Sequence, residues 1–548
     1  MSMRKFIYKM IVAGVAALAL TGCIKEAYMS GNVLTTSDVE AVGIDQNVNG
    51  LAVEMMGAGL SGFYGTYGFH IDFGIPSIHI MTDSMLEDLV MCGDYDYNQY
   101  NNYAMNLGQG SSGAYPSYFW VCYYKWIHSA NVIIAAVPST SDDPEDLVNR
   151  AKALTYRAMC YLDLARLYEP KENDYLEIKD NIKCLTVPVV TEKTTEEEAV
   201  DNPRVHRSEL FAFIISDLEE ALECFAAAGN PKSTTSPCQA IVHGLLARTY
   251  IEMGYWEDKD EAFRKDAFRK ASDFASKVIA AGYTPLTSQQ WHDTGSGFNS
   301  ASSNNSWVWG LTLASTMTNN LFNFTSMMAN EAFWGYAFVT KPGVSSALYS
   351  AMSDADFRKR SFYMPGSGLE CELAGNDQAR QYTLKYAVPY QSFKFRPARG
   401  ECYDYSVGVA ADHPLMRVEE MYFLKMEAEL HVNGLGAAKS LLEDFVNRYR
   451  YEDGSYTCSA ADETAFVAEM MLQKRAEFWG EGVLLYDYKR LDLGITRKYE
   501  GTNFGTDFQF NCEGRSPQWN ICIPRTEIQN NVGITDDLNN PDPTQFAS

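Results

Sequence analysis

Apolar residues return every three or four positions through five long stretches, and a proline or glycine closes each one. Phe119, Tyr123, Trp126, Ala130, Ile133 and Val137 make the first stripe, stopped by Pro138. Leu154, Ala158, Tyr161, Ala165 and Tyr168 make the second, ended by Pro170, and Leu210, Ile214, Leu218, Ala221 and Phe225 the third, closed by Gly229. The spacing is that of one helical face, and strands would need alternation instead. A chain with this pattern is predicted to be mainly α-helical.

The fourth stripe, Ala240, Gly244, Ala247 and Ile251, is small-residued, which permits close helix–helix approach. Ser236, Pro237 and Gln239 are spaced as a capping box at its start. Ala267, Ala271, Phe274 and Val278 form a partner stripe ending at Gly282, and the two together predict an αα-hairpin of the tetratricopeptide-like kind. A second hairpin is expected at 418–432 and 438–449, around Gly434 and Gly436. Residues 283–416 and 500–548 are dense in Ser, Asn, Gly and Pro and read as irregular, with short β-like runs such as Trp307 to Leu311. The fold expected is therefore a helical-hairpin scaffold with long irregular loops and a few short strands, forming a single compact body.

The first residues address the chain. Arg4, Lys5 and Lys9 precede an apolar run from Ile11 to Leu20 that is too short to span a bilayer. It runs into Leu20-Thr21-Gly22-Cys23, which resembles a bacterial lipobox, so residues 1–22 read as a signal peptide and Cys23 as the lipidated N-terminus. Acyl chains contribute about 0.8 kcal/mol per buried CH₂, so a multiply acylated Cys23 anchors the chain firmly in membrane lipid. Removing residues 1–22, which carry +3, leaves 526 residues at −28. With 70 acidic and 45 basic residues the chain lacks the basic footprint of a nucleic-acid binder.

No motif points to catalysis. Gly108 to Gly113 matches GxGxxG but has no apolar strand before it and Pro116 close behind. Asp94 to Asn98 opens like a calcium loop, yet Gln99 and Met105 stand where an EF-hand needs Gly and Glu. The eight histidines show no metal-ligand spacing, and no serine sits in a GxSxG elbow. Paired carboxylates for glycoside hydrolysis remain open among 70 acids, none of them marked. No metal and no cofactor is expected. The cysteines beyond Cys23 have no CxxC spacing and read mostly as small core residues, with some disulfide pairing left open.

Aromatics beside amides mark two candidate binding regions. Tyr95, Tyr97, Tyr100 and Tyr103 alternate with Asp94, Asp96, Asn98, Asn101 and Asn102. Phe322, Phe324, Phe333, Trp334 and Tyr336 interleave with Asn319, Asn320, Asn323 and Asn330. A sugar ring needs both an apolar face to stack on and polar groups for its hydroxyls. Tyr95, Tyr97, Tyr100, Trp334 and Tyr336 are the expected stacking residues, and Asp96, Asn98 and Asn330 the expected hydrogen-bonding ones.

Set in order, these segments resemble the SusD/RagB family of nutrient-uptake outer-membrane lipoproteins. Arg157-Ala158…Tyr161…Tyr168 is similar to the family's RA-x-x-Y helix, and Leu246-Ala247-Arg248-Thr249-Tyr250 to its tetratricopeptide-like segment. Pro414…Arg417…Glu420…Glu427-Ala428, then Lys474-Arg475-Ala476-Glu477-Phe478…Glu481-Gly482…Asp487…Arg490, then Ile523-Pro524…Glu527…Asn530 resemble its C-terminal blocks. Gln473 stands where the family usually has Glu, and residues 171–182 look inserted. The charged blocks read as architectural, with Arg417–Glu420 and Asp487–Arg490 pairing three residues apart and Arg475 pairing at longer range.

The resemblance implies a lipidated tether at 23–45, a SusD-like N-terminal helical region at 46–230, a tetratricopeptide-like hairpin at 231–290 and a C-terminal region at 291–548 with a loop-rich insert. It implies a non-catalytic oligosaccharide-binding protein of the outer membrane, lipid-anchored and facing outward, with a SusC-like TonB-dependent transporter as partner. Peptide capture by the same fold is the alternative, and a secreted glycoside hydrolase a more distant one.

Overall fold

The structure, a computed structural model, describes residues 43–56, 70–93, 100, 110–229, 232–295, 298–318 and 321–545. The signal segment and Cys23 lie outside the described residues. Twelve described helices have eight residues or more: α1 Ile44–Met56, α2 Ile75–Ser84, α3 Ala114–Ala136, α4 Pro144–Tyr168, α5 Arg207–Ala228, α6 Gln239–Gly254, α7 Glu261–Ala280, α8 Asp377–Tyr386, α9 Val418–Asn433, α10 Leu435–Tyr449, α11 Glu463–Phe478 and α12 Leu484–Leu491.

Local chemistry explains several of the starts. The Asp143, Asp260 and Asp462 side chains each accept a backbone N–H in the first turn of α4, α7 and α11. The expected cap on α6 is different: Ser236 precedes the helix, Cys238 is its N-cap, and Ser233 Oγ instead accepts the Thr235 and Ser236 N–H groups. The chain is still in a turn at Ser236, so its hydroxyl has no helix to cap.

Helix α4 is buried along most of its length and packs between α3 and α5, while α6 and α7 form one hairpin and α9 and α10 the next. Helix α7 lies against both α6 and α9, so the hairpins stack as tetratricopeptide-like units do. The small face of α6 is used as expected. A Cβ on Gly244 would sit 2.2 Å from Met416 Sδ, and one on Gly254 2.4 Å from the Phe268 ring. One hydrophobic core runs from Val48 to Ile534, so the helices and loops form a single body. The eleven described cysteines are all unpaired, and eight are buried.

The loop-rich middle is more ordered than the sequence predicts. Strand β2 (Trp307–Leu311) pairs antiparallel with β4 (His413–Arg417), and β1 (Leu89–Met91) with β3 (Pro342–Val344). Helix α8 and several helices of four to six residues also lie within 283–416. Helices that short complete less than two turns, and α8 is mostly polar, so neither leaves an apolar stripe to read.

Buried ions tie the elements together. Arg157 on α4 reaches Asp217 on α5 at 2.7 Å, Asn131 on α3 at 2.7 Å and Glu192 at 2.7 Å. Arg417 does not pair with Glu420: it meets Glu419, Glu477 and Glu481 at 2.8–3.0 Å, and Glu420 pairs with Arg248. Arg417 ends a strand, and the helical i,i+3 rule does not govern it. Arg490–Asp487 (2.7 Å) and the long-range Arg475–Asp88 pair (2.6 Å) form as expected.

Candidate functional site

The loop after Met328 is fixed from inside. Asn330 is buried, and its Nδ2 donates to the carbonyls of Pro342 (2.8 Å) and Ser392 (2.7 Å). Glu331 is also buried, accepts the Ala374 N–H and pairs with Arg396 at 2.7 Å. Asn330 was expected to meet a ligand hydroxyl. Its amide is instead committed to backbone, because a buried carbonyl pair needs donors. It is a clamp that sets the course of residues 331–336.

Trp334 and Tyr336 emerge from that clamp half-buried. The Trp334 ring meets Tyr405 edge-on, with centroids 5.0 Å apart. Gly408 leaves the room, since a Cβ there would lie 3.3 Å from Trp334 Cζ2. The Trp334 indole nitrogen is buried and has no acceptor among the described residues. Tyr336 Oη lies 3.1 Å from His70 Nε2, and the His70 ring lies 4.9 Å from both Tyr336 and Phe322. Phe324 turns inward against Phe395 and His413 and belongs to the core.

Beside Trp334 lies an aromatic platform that the sequence reading missed. The Phe333 ring touches Phe338, Tyr382 and Tyr403, with centroids 4.9–5.3 Å apart. Phe338 and Tyr382 are nearly parallel at 5.6 Å, and Tyr386 packs on both. Tyr382, Tyr386 and Tyr403 are 39%, 42% and 53% exposed, with Val339 and Leu384 also open to solvent. Exposed rings packed on one another in this way make a candidate interaction surface. Tyr382 and Tyr386 sit one helical turn apart on α8, whose start is capped by Asn376. The Asn376-Asp377 start and the Tyr382–Tyr386 spacing were the available signals.

The other candidate region divides. Tyr95, Asp96, Tyr97, Asn98 and Tyr103 lie outside the described residues. Tyr100 is 2% exposed, its hydroxyl 2.9 Å from Ser77 Oγ on α2. It is a core residue and offers no face to a ligand, which corrects the expectation that it stacks on sugar. Gly93, the last described residue before that segment, donates its N–H to the Thr340 carbonyl at 2.9 Å. The chain therefore enters the first candidate region next to the Ala337–Thr340 turn of the second.

Elsewhere, residues 172–183 line an open polar cleft of about 620 Å³ with Asp492 and Arg515. Its Lys183 is paired with Glu172 and Asp180. Among the described residues, no group of three His, Cys, Asp or Glu side chains could hold a metal ion, and no helix is long and apolar enough to cross a membrane.

No curated protein matches the chain significantly. Solved structures do. A SusD-like carbohydrate-binding protein from Bacteroides vulgatus has a TM-score of 0.68 at 21% identity, over 92% of this chain and 98% of that one. A SusD superfamily protein from Bacteroides thetaiotaomicron gives 0.65 at 20%, over 93% and 100%. A laminarin-binding SusD-like protein gives 0.59 at 16%, over 91% and 98%. These likenesses speak for the fold. The family profile for SusD-like "starch-binding associating with outer membrane" proteins matches residues 75–251, and that of the SusD family matches 369–541. Over more than half of its length, in both its helical N-terminal region and its C-terminal blocks, the chain belongs to the SusD/RagB family.

Proposed function

We propose that the protein captures an oligosaccharide at the cell surface, without catalysing its cleavage, and passes it to a SusC-like TonB-dependent transporter in the outer membrane. The observation that carries the reading is the platform of Phe333, Phe338, Tyr382, Tyr386 and Tyr403 beside Trp334. Sugar C–H faces stack on such rings, and the exposed tyrosines' hydroxyls supply partners for sugar hydroxyls. Tyr336 stays in the proposed site, and Tyr95, Asp96, Tyr97 and Asn98 are proposed to join it, because the chain enters their segment from Gly93.

The laminarin binding of one structural neighbour and the starch binding of the family that matches residues 75–251 agree with a glycan ligand. Lipidation at Cys23 would hold the site at the membrane. The test is calorimetric titration with laminari-, malto- and acidic oligosaccharides and with mixed peptides, followed by assay of each for new ends. Saturable binding of at least one oligosaccharide without cleavage is expected. Binding of peptides alone, or turnover abolished by replacing one carboxylate, would overturn the reading.

A further inference from the structure

Cations in this chain of net charge −25 are mostly consumed by carboxylates, and Lys341 is an exception. It is 8% exposed, yet among the described residues its ammonium makes no ion pair or hydrogen bond. Instead the Nζ lies 4.0 Å from the centroid of the Phe338 ring, the ring that also meets Tyr382 and Tyr386. Burial with no opposing charge is costly, and it pushes this amine down to about 8.

The placement is enforced by the backbone. Lys341 ends the Ala337–Thr340 turn in the left-handed region, with φ +54°. Its N–H donates to the Ala337 carbonyl, and its own carbonyl accepts the Cys92 N–H. A non-glycine residue held at positive φ over a ring, with no counter-ion among the described residues, is a conformation the surroundings impose. The carboxylates on the Tyr403 side are already engaged: Glu401 accepts the Tyr403 and Asp404 N–H groups, and Asp404 accepts that of Ser406. On α8, Arg380 and Lys385 add positive charge, and Arg380 meets Asp377 only at 3.6 Å.

We propose that the Lys341 ammonium is an anion subsite at the margin of the aromatic platform, and that the protein's glycan is acidic, presenting a carboxylate or sulfate to it. The proposal rests on the glycan-binding reading above. A sugar ring stacked on the tyrosines would bring its exocyclic acid to a cation that is already desolvated and positioned, so little ordering is needed on binding. The Phe338 ring favours the cation in place before the ligand arrives.

The test is titration of the full mature chain with oligogalacturonate, oligomannuronate and hyaluronate fragments, each beside its carboxyl-reduced neutral form, and with sulfated and unsulfated chondroitin fragments. At least one acidic member should bind ten-fold or more tightly than its neutral form. Lys341→Met should erase that preference, and Lys341→Arg should keep it. The melting temperature of Lys341→Met should hold or rise, since an unpaired buried charge is removed. A residue with only a structural role would lower it. Equal binding of every acidic and neutral pair, or a preference that survives Lys341→Met, overturns the proposal. If laminari-oligosaccharides bind and no acidic fragment does, the anion subsite is wrong and the glycan reading stands. If no saccharide binds, the glycan reading itself falls.

Discussion

Replacing Glu477 by Gln is expected to destabilise the protein by about 3–5 kcal/mol, measured by denaturant unfolding at pH 7. Glu477 is fully buried and meets three guanidiniums, Arg358 at 2.9 Å, Arg417 at 2.9 Å and Arg450 at 2.6 Å. The surrounding set is balanced: Arg358, Arg417, Arg450 and Lys394 face Asp356, Glu419, Glu477 and Glu481. Gln473 accepts a hydrogen bond from Arg358 without adding charge. Removing Glu477's charge strands positive charge where water cannot reach it, and that cost exceeds the worth of the lost pairs.

Burial alone would raise the Glu477 carboxyl, but Arg450, Arg417 and Arg358 hold it well below the usual carboxylate range. The native state thus binds fewer protons at this site than the unfolded chain as pH falls below about 4.5. The stabilisation is present above that pH and is lost progressively below it. The gap between wild type and Glu477→Gln should therefore narrow in acid. A constant gap would show that the ionised form is not what matters.

Truncating Tyr382 and Tyr386 together to Ala should weaken binding of the native oligosaccharide by about 30-fold or more, since central interface aromatics cost about 2 kcal/mol or more when removed. Both rings are substantially exposed on α8, so the fold should tolerate the change. Trp334→Ala should act in the same direction, because Trp334 packs on Tyr405 at the platform's border. A melting temperature within a few degrees of wild type, read beside the titration, separates lost contact from lost structure. Unchanged affinity in both variants would place the ligand elsewhere.

The scaffold was legible because long buried helices must carry a period, as Leu154 to Tyr168 and Leu210 to Phe225 do. Gly244 announced close packing through its size alone. The site was legible only in part. Trp334 and Tyr336 stood out as aromatics in a polar loop, and both are half-buried, Trp334 against Tyr405 and Tyr336 against His70. Tyr100 and Asn330 looked the same in sequence but are buried, because burial of a single loop residue depends on which distant segment covers it. Tyr382 and Tyr386 meet one turn apart on α8, but Tyr403 joins them only through Phe333, 70 residues away in sequence, and no local spacing encodes that meeting. The same holds for Arg417, whose partners Glu477 and Glu481 lie on and just beyond α11 rather than one turn away.

The central claim is that sugar rings seat on this aromatic face. The most direct measurement is a crystal structure of the protein with the oligosaccharide that titrates most tightly. The account predicts a pyranose ring in van der Waals contact with Tyr382, Tyr386 or Tyr403, with a sugar hydroxyl within hydrogen-bond reach of one of those tyrosine hydroxyls. A well-ordered oligosaccharide bound elsewhere, with these rings uncovered, would contradict it.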